Sequence, residues 1–317
     1  IISAAAVQYA TLMLRISEHD GRIAAELRPP PPHPPLPPPP PKSSPRASTS
    51  ARYAALASAV SRDGLAGLNS TLGARDDLLL TFGSVSLASF VTNWVESLRG
   101  AGEWRLLVGA LDDELLATVS RVGAPAVRIG GGDVGGGAYF RKDYEVFKKM
   151  GARKVGFLAA LADAAPAGIW VCDADMVWLR PPPAELVHRA ALAGGDVLLS
   201  TDCLDLRGDE RGECGATANF NTGVLFVRKT ARARRFLGAW AAKMEAARPE
   251  PWLDDQAVFN ELVRDGFAQT SGGASRLYSA AGGTVTVGLL PLALVANGHT
   301  FFVQHRCAFC QPHCECD

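Results

Sequence analysis

Short apolar runs alternating with amphipathic stretches beyond residue 78 predict an α/β fold, an open and mostly parallel sheet flanked by helices on both faces. Two properties of the whole chain agree with it. Of 317 residues 48% are hydrophobic, enough for the core of one large or two small domains. Twelve of the 21 prolines crowd between Pro29 and Pro45, which sets a short amino-terminal segment apart from a globular unit. Thirty-two basic residues balance thirty-two acidic ones, so no net positive field exists to hold a nucleic acid or an anionic membrane surface.

In chain order, residues 1–28 form an N-terminal segment. Ile1 to Leu14 is mostly apolar, but Gln8, Tyr9 and Thr11 interrupt it and Arg15 ends it, well short of the ~18 apolar residues of a membrane span. It reads as a short helix or as the tail of an anchor that lies upstream of Ile1. Residues 29–52 are a proline-rich linker, a stiff stalk without a core of its own. The globular unit is expected over 53–306, with a Cys-rich tail over 307–317.

Within the unit, Leu78 to Val85 predicts a strand, Ala88 to Leu98 an amphipathic helix, and Trp104 to Leu111 a second strand. Asp112 to Arg121 predicts a helix with Asp112 as its cap. Ala126 to Ile129 is a third strand, Tyr139 to Asp163 one or two helices broken near Gly151, and Ile169 to Cys172 a buried strand ending at Asp173. Ligands of such sheets bind beyond the carboxyl ends of the strands.

Gly130, Gly132 and Gly135 spell G-x-G-x-x-G between a strand and a helix, where a dinucleotide loop belongs. Such a site also needs an acidic residue about 20 positions later. Residues 150–157 supply only Arg153 and Lys154, and Asp133 would face the phosphates, so the run predicts a surface loop.

The stretch IWVCDADMVWLRPP, Ile169 to Pro182, carries the strongest chemical signal. Asp173 and Asp175 follow the buried strand, and in an extended chain positions i and i+2 point the same way. Two carboxylates projecting together can hold a hard divalent cation, with a diphosphate filling its other positions. A haloacid-dehalogenase-like phosphohydrolase uses such a pair as nucleophile and acid/base; a nucleotide-sugar transferase uses it to carry manganese or magnesium. Position separates the two. The hydrolase motif usually ends the first strand of its domain, whereas three candidate strands precede Asp173, and Asp254 and Asp255 open a helix-like run rather than ending a second apolar strand.

Seven ordered blocks, TFGSVSLASFVTNWVESLR, LLVGALDDELL, KKMGARKVGFLAAL, VCDADMVWLRPP, NFNTGVLFVRKT, WLDDQAVFNELV and LLPLALVANGHTFFVQ, resemble the nucleotide-diphospho-sugar transferases of glycosyltransferase family 77. That family includes plant and algal arabinosyl- and xylosyltransferases. The resemblance runs from Asp77 to about Gln304. It implies a GT-A fold for residues 53–306, a Mn2+ (or Mg2+) ion, a UDP-sugar donor, retention of anomeric configuration, and transfer of a pentose or galactose to a glycoprotein or polysaccharide acceptor of the cell wall or secretory route. It further implies a Golgi lumenal, type II membrane protein, anchored upstream of Ile1 with the proline stretch as stem.

Carried over block by block, Asp173 and Asp175 match the metal motif, Asp173 also meeting the nucleotide, and Lys154 matches a basic position beside the diphosphate. Thr81 and Asn93 lie in the block on the nucleotide side. Asn219, Asn221, Thr222 and Gly223 match the segment beside the donor sugar, where short side chains bond hydroxyls. Asp255 and Gln256 match a D-Q pair at the reaction centre, with Asp255 the candidate nucleophile; same-face attack guided by the leaving phosphate is the other route to retention. The pair also reads as helix capping by Asp254 or Asp255. After HTFFVQ this chain departs from the family's histidine-bearing segment, so His299 and His305 are weak third ligands and a catalytically silent relative stands as an alternative.

Cys172 reads as a buried free thiol, and Cys203 and Cys214 are able to pair. Cys307, Cys310, Cys314 and Cys316, with His313, lack the spacer of about 12 to 20 residues that separates zinc ligand pairs. Disulfides in a secretory lumen, an adventitious tail and structural zinc stay open for them. Asn69-Ser70-Thr71 is a glycosylation acceptor sequence.

Overall fold

The computed structural model describes residues 46–129, 144–180, 184–188, 191–246, 254–270 and 276–297. The chain divides into two units, residues 43–291 and residues 1–42 with 292–317; the second is described only over 292–297. The segment 1–28, most of the stalk, the glycine run Gly130–Gly137, His299, His305 and the tail 307–317 lie outside the described residues.

The larger unit opens on α1, Arg46–Asp63, which turns Tyr53, Leu56, Ala59 and Val60 inward at helical spacing. It begins inside the stretch expected to be linker, so the folded unit starts at Arg46 rather than Tyr53. Helix α2, Ala66–Thr71, follows, with Asn69 exposed on it. Gly67 lies so close to α1 that a Cβ would stand 2.4 Å from the Ala59 carbonyl oxygen.

Strand β1, Leu78–Gly83, is buried at all six positions, and Val91, Trp94, Val95 and Leu98 form the inner stripe of α3, Ala88–Gly100. Strand β2, Leu106–Ala110, leads to Asp112, whose carboxylate accepts from Leu115 N at 2.7 Å as the N-cap of α4, Asp113–Arg121. Its other oxygen accepts from Val85 N at 2.8 Å and fixes the turn after β1. Strand β3 is Ala126–Arg128. Helix α5, Tyr144–Ala164, runs unbroken through Gly151, contrary to the expected break. Glycine costs a helix interior only about 1 kcal/mol, and here it makes room: a Cβ would stand 3.1 Å from the Asp255 side chain.

Strand β4, Ile169–Cys172, is followed by α6, Ala184–His188, and by β5, Val197–Thr201. Two short helices, α7 at Leu206–Glu210 and α8 at Cys214–Thr217, fill the next loop, where Cys203 and Cys214 form a disulfide. Cys172 is a buried free thiol, as expected. Strand β6, Phe220–Val227, helices α9, Ala231–Ala246, and α10, Asp255–Arg264, and strands β7, Ala268–Gln269, β8, Leu277–Ala280, and β9, Val285–Leu289, complete the unit.

The nine strands form one sheet in the order β3-β2-β1-β4-β6-β5-β9-β8-β7. Only β6 and β8 run against the others, so the sheet is open and mostly parallel in direction, as the alternation predicts. The reversal of β6 matters most. It is threaded between β4 and β5, so its first residues meet the carboxyl ends of both.

Candidate functional site

Asp173 continues the β4 ladder, its N–H donating to Gly223 O at 2.8 Å. The chain then turns, with Met176 N reaching back to Asp173 O at 3.2 Å. The two carboxylates of the D-A-D motif therefore do not come together by extended-strand geometry. They are still close enough for Asp175 to act electrostatically on Asp173. Asp175 is exposed and the Asp173 side chain is 42% exposed, so both stand at the open edge.

The start of β6 is bulged. Leu199 faces Leu225 and Ser200 faces Asn221, so Thr222, Gly223 and Val224 have no counterpart on β5. The Ser200 hydroxyl lies 3.0 Å from Asn221 O and 2.8 Å from Val224 O and closes the gap. Freed from β5, Thr222 turns all its polar groups onto the site. Its N–H donates to Gln256 Oε1 at 3.2 Å, its hydroxyl to Asp255 Oδ2 at 3.2 Å, and its carbonyl accepts from Lys154 Nζ at 3.1 Å.

Lys154 reaches this point from α5. Its ammonium pairs with Asp173 Oδ1 at 3.1 Å and Asp255 Oδ2 at 3.0 Å, and lies 5.1 Å from the centre of the Phe82 ring at the end of β1. Only 4% of the side chain is exposed. Burial alone would lower its pKa, but the two carboxylates outweigh burial and raise it, so the group stays charged. Burial raises the Asp173 carboxyl, Lys154 opposes that, and Asp175 and Asp255 reinforce it. With three N–H donors and three protein acceptors, Lys154 has none left for a diphosphate. It joins the β4 edge to α10 from within.

Asp255 is correspondingly buried, its side chain 9% exposed, and Trp240 Nε1 donates to its carbonyl at 3.2 Å. Asp254 is the helix cap, accepting from Ala257 N at 2.7 Å, which leaves Asp255 to point inward. Asn260, one turn after Gln256, pins α10 to β6 by pairing with both backbone groups of Phe220, each at 2.8 Å.

A second, half-buried cluster sits beside the first. Asp202, just past β5, accepts from Asn221 Nδ2 at 2.7 Å and from Gln256 Nε2 at 3.2 Å. Asn221 Oδ1 accepts from Gly223 N at 2.7 Å. At Gly223 a Cβ would stand 2.7 Å from Asn221 Oδ1 and 3.1 Å from Asp173 Oδ2, so glycine is what lets these side chains approach.

Of the residues read from sequence, the fold thus assembles Lys154, Asp173, Asn221, Thr222, Gly223, Asp255 and Gln256. Asn219 contributes its carbonyl, accepting from Asp202 N at 2.9 Å, while its side chain is exposed. Thr81 is fully buried within β1 and its hydroxyl has no partner among the described residues, so it cannot touch a solvent-borne nucleotide. Asn93 lies on the exposed face of α3, and among the described residues no hydrogen bond or ion pair joins it to the cluster. Asp202 and Asn260 were missed. An acidic residue directly after the apolar run VLLST was the available signal for Asp202.

The model of the nucleotide-diphospho-sugar transferase family matches residues 104–315, and the chain belongs to that family. An arabinosyltransferase of Arabidopsis thaliana, XEG113, is 32% identical over 238 residues, which are 72% of this chain and 34% of that protein. The chain thus spans about a third of that relative's length. Among solved structures, the galactosyltransferase LgtC in complex with donor and acceptor sugar analogues is similar over 71% of this chain and 94% of its own, with 13% identity and a TM-score of 0.39. Family membership gives the phosphohydrolase alternative no support.

Proposed function

We propose that this chain carries the catalytic site of a retaining, metal-dependent glycosyltransferase that moves a pentose, arabinose or xylose, or galactose from a UDP-sugar to a cell-wall or secreted glycoconjugate acceptor. The observation that carries this reading is the meeting, at one sheet edge, of Asp173 of the D-A-D motif with Asn221, Thr222 and Gly223 at the start of β6 and the D-Q pair of α10. The 32% identity to an arabinosyltransferase supports the pentose.

The donor set suits Mn2+ or Mg2+. Lys154 engages Oδ1 of Asp173, the missing side chain at residue 223 leaves room around Oδ2, and the Asp175 carboxylate is exposed nearby. Asp173 and Asp175 would hold the ion; among the described residues no group of three or more His, Cys, Asp or Glu is placed to complete the shell. When bound, the cation neutralises charge developing on the departing diphosphate. Lys154 acts behind the edge, bridging Asp173 and Asp255 from within. The Asp255 side chain is only 9% exposed, with Oδ2 held by Lys154 and Thr222, and Gln256 Oε1 accepts from Thr222 N. That favours same-face attack by the acceptor over an Asp255 nucleophile.

No helix among the described residues is long and apolar enough to cross a membrane. The Golgi lumenal, type II placement therefore rests on an anchor outside them, and the Cys203–Cys214 disulfide fits an oxidising lumen.

The test is a panel of UDP-arabinofuranose, UDP-xylose and UDP-galactose with manganese, following UDP release and sugar transfer in wild type and Asp175→Asn. Wild type should use one donor, and the variant, with one anionic ligand made neutral, should keep its fold and lose turnover, partly regained at high manganese. Full transfer by the variant with no response to a chelator would overturn the metal assignment. Absence of UDP release from every donor would leave the silent relative.

A further inference from the structure

Among the polar side chains at the sheet edge, Asp202 has no role in the reading above, yet two site residues depend on it. Each side-chain amide has one acceptor oxygen and two N–H donors. Asn221 gives its oxygen to Gly223 N and Gln256 gives its oxygen to Thr222 N, so both oxygens face the backbone of the β6 bulge. Each then directs one N–H to a different oxygen of Asp202, at 2.7 and 3.2 Å. A carboxylate is acceptor-only, so it fixes which way both amides face.

That leaves a defined inventory. Among the described residues Asn221 and Gln256 retain one N–H each and Asp202 retains lone pairs, and all three residues are half-buried. Two fixed donors beside a carboxylate match vicinal hydroxyls, which both donate and accept. They do not match a phosphate, which the carboxylate would repel. Asp202 is itself held from both sides: its N–H bonds Asn219 O at 2.9 Å, and the next residue, Cys203, is tied by its disulfide to Cys214.

We infer that Asp202 is a positioning residue that orients the amides of Asn221 and Gln256 toward the hydroxyls of the transferred sugar. This rests on the transferase reading. Asp202→Asn keeps the shape but accepts only one of the two N–H groups and turns its own NH2 on the other, releasing one amide to flip.

The experiment compares wild type, Asp202→Asn, Gln256→Ala and the double variant in manganese buffer. UDP affinity is measured by calorimetry and the rate of UDP release is measured with the three UDP-sugars. Asp202→Asn should bind UDP as wild type does and release it at least about tenfold more slowly, as expected from loss of a charge-assisted hydrogen bond. In the Gln256→Ala background the same change should cost clearly less, because the two residues act as one unit. Equal weakening of UDP binding and turnover, or full additivity, would show a merely structural role and overturn the inference. Unchanged turnover in Asp202→Asn would also overturn it, with the transferase reading intact. A wild type that neither binds UDP nor releases it from any donor would remove the transferase reading, and this inference with it.

Discussion

Two clusters share the start of β6 and differ in what surrounds them. In the first, Lys154, Asp255 and Thr222 pair in the interior and reach Asp173 at the open edge, with Lys154 4%, Asp255 9% and Asp173 42% exposed. In the second, Asp202, Asn221 and Gln256 form a half-exposed set of one carboxylate and two amides. Within the interior cluster Lys154 and Thr222 have their polar groups committed and so set geometry, and what the cluster offers a ligand is Asp173 Oδ2 at the open edge. The outer cluster keeps unused hydrogen-bonding capacity where a ligand can reach it. Successive residues at the start of β6 serve both: Asn221 outward, Thr222 inward.

The largest effect is expected from breaking the inner cluster. Lys154→Met removes the cation between two carboxylates and leaves Asp255 buried without it, a change that costs about 3–5 kcal/mol of stability. Urea unfolding should show it. The sequence alone, which places Lys154 beside the diphosphate, predicts weaker donor binding on an intact fold instead. A variant of wild-type stability would return Lys154 to the ligand side and erase the difference between the clusters.

Gly223→Ala tests the seam. The added methyl meets Asn221 Oδ1 at 2.7 Å and Asp173 Oδ2 at 3.1 Å, so one side chain from each side must move. A misplacement of that order costs about 10²-fold in turnover. Both UDP release and its manganese dependence should change. If only one of them changes, the seam belongs to a single cluster.

Much of this was legible in the sequence, for physical reasons that can be named. IWVC followed by Asp173 was found because a continuous apolar run ending in a carboxylate marks the end of a buried strand. The cap at Asp112 and the helix start at Asp254 were found because N-caps are local. What escaped depends on non-local pairing. No local pattern announces that β6 slips against β5 between Leu199 and Ser200, so the convergence of Asn221 and Gln256 on Asp202 was invisible. Lys154 lies in the basic string KKMGARKVGF, which gives no hint that two of its cations, Lys148 and Lys154, are enclosed. Thr81 and Asn93 were carried by resemblance to a block, and a block does not say which side chains face inward.

Asn260→Ala should have a smaller effect, confined to the joint between α10 and β6. Two hydrogen bonds to the buried Phe220 backbone are lost, at a cost of about 1–3 kcal/mol for the groups left unpaired. Because Lys154 and Thr222 still hold Asp255, the loss should appear in thermal unfolding more than in UDP affinity.

The smallest effect is expected at Asp254, and it separates the clusters most cleanly. Its carboxylate caps α10 through Ala257 N, and losing such a cap costs about 1 kcal/mol. The first turn it stabilises carries Asp255 into the inner cluster and Gln256 into the outer one. Asp255 has independent anchors in Lys154, Thr222 and the Trp240 indole. The Gln256 side chain has two hydrogen bonds among the described residues, both 3.2 Å long, and the residue is half-buried. Fraying the turn should therefore loosen Gln256 and spare Asp255. Asp254→Ala should lower turnover of the donor while its UDP affinity and manganese requirement stay as in wild type. Asp254→Ser, which restores a good cap without the charge, should recover most of the loss. A parallel loss of UDP affinity, or failure of serine to recover turnover, would mean that Asp254 serves more than the cap, and that the inner cluster is less self-sufficient than its pairing implies.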